Sequence, residues 1–219
     1  MPRAVLFDWD GTLADTRQVV VATFQQVVQA IGITVSSEFI ERRIGTGAEC
    51  TFKEILQGAG KPFDEAFIKK LLAEKIKTEI SMSQNVKLLP GALGLLEALH
   101  GKVRVALASM NNRPVIEQLL NSMQIKGLFE VVVTVEDVGN FKPDPEIFLK
   151  CAAKMQEKPE DCVVLEDSIF GVQAARAAGM DCVAVLTGVY SRAELETANP
   201  GLIVESLTEK EKILEFIFR

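Results

Sequence analysis

The sequence predicts an α/β protein with a doubly wound, parallel, Rossmann-like sheet as its core and a small helical cap domain inserted after the first strand. From residue 88 onward, short β-branched runs alternate with helical patterns, which is typical of parallel strands joined by crossover helices. The runs are continuously apolar, as strands covered by helices on both faces are. Between residues 16 and 87 only helical patterns occur, which indicates the insertion.

Six apolar runs are the predicted strands, and the helices between them have recognisable ends. Asp144 followed by Pro145 predicts an N-cap with proline at the first helical position, and Ser168 begins a helix that Gly179 ends. Functional residues are expected at the carboxyl ends of the strands. The predicted strands are Ala4–Phe7, Val103–Ala108, Val131–Val135, Cys162–Leu165, Cys182–Leu186 and Leu202–Val204.

The helical insertion is too long to be a crossover, which normally needs a single helix. We therefore assign residues 1–15 and 88–219 to an α/β catalytic core and residues 16–87 to the cap. Both hinges lie beside the carboxyl end of the first strand, so the cap is expected to close the active site and select the substrate. Its predicted helices are Val19–Ile31, Ser37–Ile44, Cys50–Leu56 and Asp64–Ile80.

Composition limits the classes of function. The 219 residues are 48% hydrophobic and 25% charged, which is ordinary for a globular protein. A net charge of −6 gives no field that attracts nucleic acid, and the apolar runs are too short for a membrane span or a secretory signal. We expect a cytoplasmic monomer or small homo-oligomer. The four cysteines contain no Cys-x-x-Cys pair and are expected to be free thiols.

Paired aspartates follow the first predicted strand. Asp8 and Asp10 are two apart in an extended segment, so their side chains leave on the same face. Two such carboxylates repel each other unless a cation joins them or one stays protonated. Gly11 permits a sharp turn after them. The alternative is a plain strand-to-turn junction, where aspartates are common.

Three further polar positions follow later strands. Ser109 has a hydroxyl and neighbouring N–H groups suited to an anion, although it could simply cap a helix. Lys142 lies between an aromatic residue and a proline, which restrains it, although most lysines are solvated. Glu166 and Asp167 are hard oxygen ligands that, converging with the first pair, would suit Mg²⁺. A helix-capping role for Asp167 or Ser168 is the alternative.

Taken together, these motifs resemble those of the haloacid dehalogenase-like hydrolases, in the subgroup with a helical cap after the first strand. The resemblance covers the whole chain and implies a Mg²⁺-dependent phosphatase that hydrolyses a small phosphate monoester through an aspartyl-phosphate. The matching motifs are Asp8-x-Asp10-Gly-Thr-Leu-x-Asp-Thr, Ser109, Lys142-Pro-Asp-Pro and Glu166-Asp167-Ser-x-x-Gly-Val-Gln-Ala-Ala-x-Ala-Ala-Gly.

The resemblance also implies a role for each matching residue. Asp8 would be the nucleophile and Asp10 the general acid and base. Ser109, the adjoining Met110 and Lys142 would bind the phosphoryl group of a small phosphorylated metabolite.

The metal site is implied in the same way. Asp8, the Asp10 carbonyl and Asp167 would hold Mg²⁺, with Glu166 at or near the ion. The physics agrees, since a carboxylate can meet a phosphate only when positive charge offsets their repulsion.

Within the family, the residues favour a phosphatase. Dehalogenases lack a second aspartate at the position of Asp10. β-Phosphoglucomutases share the cap but carry a histidine shortly after the Asp-Thr pair, where this chain has Val20. The Asp-Gly-Thr-Leu sequence is typical of the phosphatases. A β-phosphoglucomutase-like transferase and a non-catalytic regulator that binds a phosphorylated ligand remain the alternatives.

Substrate choice is expected to depend on the cap. Gly45, Thr46 and Gly47 resemble the Gly-x-Gly stretch of phosphoglycolate phosphatases, and such glycines bring backbone N–H groups close to a ligand. The alternative is a plain loop with solvated charges, so phosphoglycolate and small sugar phosphates both stay open. The cations that could meet a substrate carboxylate are Arg42, Arg43 and Lys53.

Overall fold

A computed structural model describes residues 3–219, so residues 1–2 of the assigned core lie outside it. It contains a parallel sheet, flanking helices and a separate group of four helices. In chain order the elements are β1 (Ala4–Phe7), β2 (Ala14–Asp15), α1 (Arg17–Gln29), α2 (Ser37–Glu41), α3 (Ala48–Gly58), α4 (Glu65–Met82), β3 (Lys87–Leu88), α5 (Ala92–Leu99), β4 (Arg104–Ala108), α6 (Arg113–Ser122), β5 (Val131–Val133), α7 (Glu146–Lys154), β6 (Cys162–Glu166), α8 (Ile169–Ala177), β7 (Asp181–Val185), α9 (Arg192–Glu196), β8 (Leu202–Val204) and α10 (Lys210–Phe218).

The main sheet has six parallel strands in the order β5-β4-β1-β6-β7-β8, which confirms the predicted fold class. β1 is central, and its last residue, Phe7, pairs with Leu107 of β4 and Leu165 of β6. Alternate residues of β1 fill two cores. Val5 and Phe7 pack with α5, α6 and α10, whereas the opposite face packs with α7 and α8. The carboxyl ends of β1, β4 and β6 therefore meet at one edge.

Residues between β2 and β3 form a helical body with its own core. The two short strands pair antiparallel, Ala14 with Leu88 and Asp15 with Lys87, so the chain leaves and re-enters the sheet through one ribbon. Buried apolar side chains of α1 to α4 make a separate cluster. In it the rings of Phe24 and Phe52 lie 4.8 Å apart. This body is attached beside the carboxyl end of β1.

The predicted start of α7 was wrong by one residue. Pro145 occupies the N-cap position and the helix begins at Glu146. The Asp144 carboxylate nevertheless accepts the N–H of Glu146, at 2.9 Å. Asp144 therefore bonds one of the free N–H groups of the first turn from the position before the N-cap.

Other predicted features have direct counterparts. Ser168 caps α8 by accepting the N–H of Gly171 at 3.0 Å, and Gly179 follows the helix with a φ of 75°. All four cysteines are free thiols. Within residues 3–219, every helix is too short or too polar to cross a membrane.

Candidate active site

A buried lysine joins two carboxylates where the strand ends meet. Lys142 Nζ lies 2.5 Å from Asp8 Oδ1 and 2.6 Å from Glu166 Oε1, and all three side chains are buried. The N–H of Asp8 continues the pairing of β1 by donating to the Leu165 carbonyl at 3.0 Å. Lys142 enters from the loop before α7, where its Nζ lies 5.0 Å from the centre of the Phe148 ring. The lysine is therefore held in place by two carboxylates and an aromatic ring.

The electrostatics of this trio favour a charged lysine beside a carboxylate that is hard to ionise. Burial raises the pKa of Asp8 well above its usual value; Lys142 opposes that shift, and Glu166 adds to it. Burial by itself would lower the pKa of Lys142, but the neighbouring Asp8 and Glu166 carboxylates raise it above its usual value. Lys142 thus supplies fixed positive charge next to the predicted nucleophile.

An acidic cluster adjoins the lysine. Asp8, Glu166 and Asp167 each offer one carboxylate oxygen, and these oxygens lie within 4.8 Å of one another. Burial, followed by the charges of Glu166 and Asp8, raises the pKa of Asp167 well above its usual value. Three buried carboxylates face a single ammonium from Lys142, so a divalent cation would balance the cluster. Hard oxygen donors of this kind fit Mg²⁺.

Neighbouring groups fix the orientation of the two later carboxylates. Glu166 Oε2 accepts the N–H of Asp167 at 2.9 Å and both the N–H and the hydroxyl of Ser168 at 3.0 Å. Glu166 Oε1 therefore remains for the lysine. The hydroxyl of Thr12 donates to Asp167 Oδ1 at 3.1 Å. Gly11 is needed here, because its φ is +84° and a Cβ would lie 2.4 Å from Asp167 Oδ2.

Asp10 has different surroundings from Asp8. Its carboxylate stands apart from the acidic cluster and accepts the hydroxyl of Thr16 at 2.7 Å. Burial, with a contribution from Glu79, raises the pKa of Asp10 to about 6. Neighbouring carboxylates in unlike environments can divide nucleophilic and acid–base roles between them. Thr16 was not singled out from the sequence, although it closes the Asp-Thr pair of the first motif.

The predicted phosphate-binding residues after β4 reach the same edge. Ser109 is fully buried, and its hydroxyl accepts the N–H of Asn111 at 3.1 Å. It does not cap α6, whose N-cap position is Asn112. The Ala108 carbonyl lies 3.5 Å from Lys142 Nζ, so this segment adjoins the trio.

A narrow space of about 30 Å³ separates the cap from Asp10. Gly45 and Gly47 line it with φ values of 90° and 95°, and Arg43 lies beside them. Thr46 is not part of the lining, and its hydroxyl donates to the Arg43 carbonyl at 2.8 Å. The lining residues include Asp10, Val20, Arg43, Gly45, Gly47, Lys75, Met110 and Asn111.

The other two cap cations are not brought to this space. Arg42 Nη1 lies 2.7 Å from Glu194 Oε1 of α9, and the Arg42 carbonyl accepts the hydroxyl of Tyr190 at 2.9 Å. Arg42 therefore ties the cap to the core. Lys53 pairs with Glu49 at 2.6 Å on α3.

A buried polar group between cap and core was missed from the sequence. Lys75 of α4 donates to Asn111 Oδ1 at 2.6 Å and lies 2.5 Å from Glu79 Oε2. Asn111 Nδ2 donates in turn to Glu79 Oε1 at 2.7 Å. A lysine and a glutamate four residues apart on a helix usually mark a solvated face. The signal available was the pair of asparagines just after Ser109.

Comparisons with known proteins identify the family. A model of the haloacid dehalogenase-like hydrolases matches residues 5–185, and the chain belongs to this family. A phosphorylated carbohydrates phosphatase of Thermotoga maritima is 35% identical, covering 81% of this chain and 82% of that protein. A β-phosphoglucomutase of Bacillus subtilis is 32% identical, covering 85% of this chain and 84% of that protein.

A solved structure supports the same family assignment. A hydrolase from Pseudomonas syringae superimposes with a TM-score of 0.89 at 27% identity, covering 98% of this chain and 99% of that one. The resemblance drawn from the motifs is confirmed, and with it the assignment to the phosphoric monoester hydrolases.

Proposed function

We propose that this protein is a Mg²⁺-dependent phosphatase that hydrolyses a small phosphate monoester through an aspartyl-phosphate on Asp8. One observation carries the proposal: the Asp8 carboxylate is held 2.5 Å from the buried ammonium of Lys142. A carboxylate can attack an anionic phosphate only where positive charge offsets their repulsion. Lys142 supplies that charge at the nucleophile itself.

The chemistry divides into two displacements at phosphorus. In the first, an Asp8 oxygen bonds to phosphorus, the bond to the substrate oxygen breaks, and Asp10 gives its proton to the departing alcohol. In the second, Asp10 takes a proton from water as that water attacks the aspartyl-phosphate, which releases phosphate and restores Asp8. A pKa of about 6 suits Asp10 to both steps near neutral pH.

The acidic cluster would hold Mg²⁺ through Asp8 and Asp167, with the Asp10 carbonyl as a further ligand and Glu166 beside them. When bound, the ion would supply positive charge that offsets repulsion between the nucleophile and the phosphate. Glu166 also holds Lys142, at 2.6 Å, so the same carboxylate positions the lysine.

The substrate's phosphoryl oxygens would bind Lys142, the Ser109 hydroxyl and the backbone at Met110. Its leaving group would lie beneath the cap, beside Asp10, where the cap must open to enlarge the space of about 30 Å³. The Thermotoga maritima relative is named as a phosphatase of phosphorylated carbohydrates, which favours a sugar phosphate. Phosphoglycolate is the other candidate.

A mutase is the second candidate, since the Bacillus subtilis relative is named as a β-phosphoglucomutase. Mutases of the family carry a histidine where this chain has Val20. Val20 lines the space beside Asp10, and its side chain has no proton to exchange with a sugar hydroxyl. Hydrolysis is therefore the better-supported activity.

The test is phosphate release from a panel of phosphoglycolate, p-nitrophenyl phosphate, glycerol phosphates and hexose phosphates, with Mg²⁺ and then with a chelator. Asp8→Asn serves as the blank. We expect release that needs Mg²⁺ and is lost in the variant. Conversion of β-glucose 1-phosphate to glucose 6-phosphate without phosphate release would favour the mutase, and full release by Asp8→Asn would refute the mechanism.

A further inference from the structure

The space between the cap and Asp10 is where the leaving group would lie, and we call it the leaving-group space. The cations that line it are already paired with carboxylates. Of the charged residues in its lining, Asp10 belongs to the core, whereas Arg43 and Lys75 belong to the cap. Arg43 Nε lies 2.6 Å from Glu54 Oε2, and Lys75 Nζ lies 2.5 Å from Glu79 Oε2. The cap therefore presents hydrogen-bond donors to the substrate but little net positive charge.

The two pairs differ in their exposure to solvent. The Arg43–Glu54 side chains are 27% and 47% exposed, so water and salt screen that pair. The Lys75–Glu79 side chains are 3% and 2% exposed, so their charges are felt strongly within the site. The net charge that the cap presents to a leaving group thus depends mainly on whether a carboxylate neutralises the Lys75 ammonium.

The Glu79 carboxylate is positioned to neutralise the charge of Lys75. Its Oε1 accepts the Asn111 amide at 2.7 Å, which fixes the carboxylate against the core. Within the described range Oε2 accepts no aligned hydrogen bond, and the Lys75 ammonium is its charge partner. Burying two charges costs solvation free energy that packing apolar residues would avoid. Stability alone therefore does not explain why Lys75 and Glu79 are buried together.

We infer that Glu79 is a specificity-determining residue: by cancelling the charge of Lys75, it sets the enzyme for phosphate monoesters with an uncharged, hydroxyl-bearing leaving group. A leaving group with a carboxylate or a second phosphate would enter a space that holds the Asp10 carboxylate and no unbalanced buried cation. Discrimination would then come from unpaired charge on the wrong substrate. This inference rests on the proposed phosphatase activity and chooses between its two substrate classes.

The test uses Glu79→Gln, which removes the charge and keeps an acceptor for Asn111. The measured quantity is kcat/KM for phosphoglycolate divided by kcat/KM for glycerol 2-phosphate. Wild-type protein should give a ratio below one. Glu79→Gln should raise the ratio about tenfold, because Lys75 becomes an unbalanced cation beside the leaving group.

Two further variants separate charge from structural damage. Lys75→Gln leaves the Glu79 carboxylate unbalanced, so it should shift the ratio in the opposite direction. Loss of packing alone would not reverse the sign between the two variants. Glu74→Gln makes the same charge change on the exposed side of α4, and should leave the ratio at its wild-type value.

A wild-type ratio above one, or equal ratios in wild type and Glu79→Gln, would overturn the inference. Hydrolysis of glycerol 2-phosphate by the wild type reports separately on the proposed function. If no substrate is hydrolysed, that function fails, and calorimetric binding of the same two compounds to the same variants tests the inference. The ratio of dissociation constants should then shift with the same signs, and unchanged ratios would refute it.

Discussion

Glycine at position 171 should be required for the active site, even though alanine ordinarily stabilises a helix. Gly171 lies in the first turn of α8, and a Cβ there would lie 1.8 Å from Glu166 Cδ and Oε1. The Glu166 side chain would have to move by more than about 1 Å. That movement would break its ion pair with Lys142, in which Nζ and Oε1 are now 2.6 Å apart. Breaking a buried ion pair costs about 3–5 kcal/mol, against a helix gain of about 1 kcal/mol. We expect Gly171→Ala to lower the free energy of unfolding by about 3 kcal/mol.

Gly94→Ala is the matched control. Gly94 lies within α5 and a Cβ there would have no neighbour within 4 Å, so the change should stabilise by about 0.5–1 kcal/mol. Urea denaturation of the wild type and both variants measures the difference, and phosphate release should fall only in Gly171→Ala. If Gly171→Ala proves as stable as Gly94→Ala and retains activity, the packing argument for Glu166 is wrong.

Three further predictions concern charge. Lys142→Met should lower kcat for phosphate release by about 10²–10³ because the cation beside the nucleophile is lost; near-normal turnover would contradict its role. The thermal midpoint of the wild type should rise with Mg²⁺ concentration, since a ligand of the folded state stabilises it. That rise should shrink in Asp167→Asn, and an equal rise would remove Asp167 from the metal site. Arg42→Gln should scarcely change stability, because exposed ion pairs contribute little. It should nevertheless speed hydrogen exchange in α2 by releasing the contact with Glu194, and unchanged exchange would show that this contact does not hold the cap.

Much of the fold was predictable because parallel strands buried on both faces leave continuous apolar runs. β1 and β8 have the predicted bounds. The predicted ends of elements were wrong where local hydrogen bonds determine where a strand or helix stops. The predicted strand over Val131–Val135 ends at Val133, because Thr134 and Asp137 form a capping box that turns the chain.

The site was predictable to the extent that it follows strand ends. Asp8, Lys142 and Glu166 were chosen from separate motifs, and parallel topology brings them together. Lys75 and Glu79 were not predicted, because their spacing also fits a solvated helix face. Their burial depends on how α4 packs against the core, which their spacing along α4 does not encode.

The central claim is that Asp8 carries the phosphoryl group during turnover. The direct measurement is an acid quench of enzyme turning over a ³²P-labelled substrate, followed by digestion and identification of the labelled peptide. The label should be found on the peptide that contains Asp8 and should be absent from Asp8→Asn. With ³²P-labelled p-nitrophenyl phosphate, whose leaving group departs without a proton, the label should accumulate in Asp10→Asn, which lacks the base for the second step. Turnover with no label on protein, or with label on another residue, would contradict the mechanism.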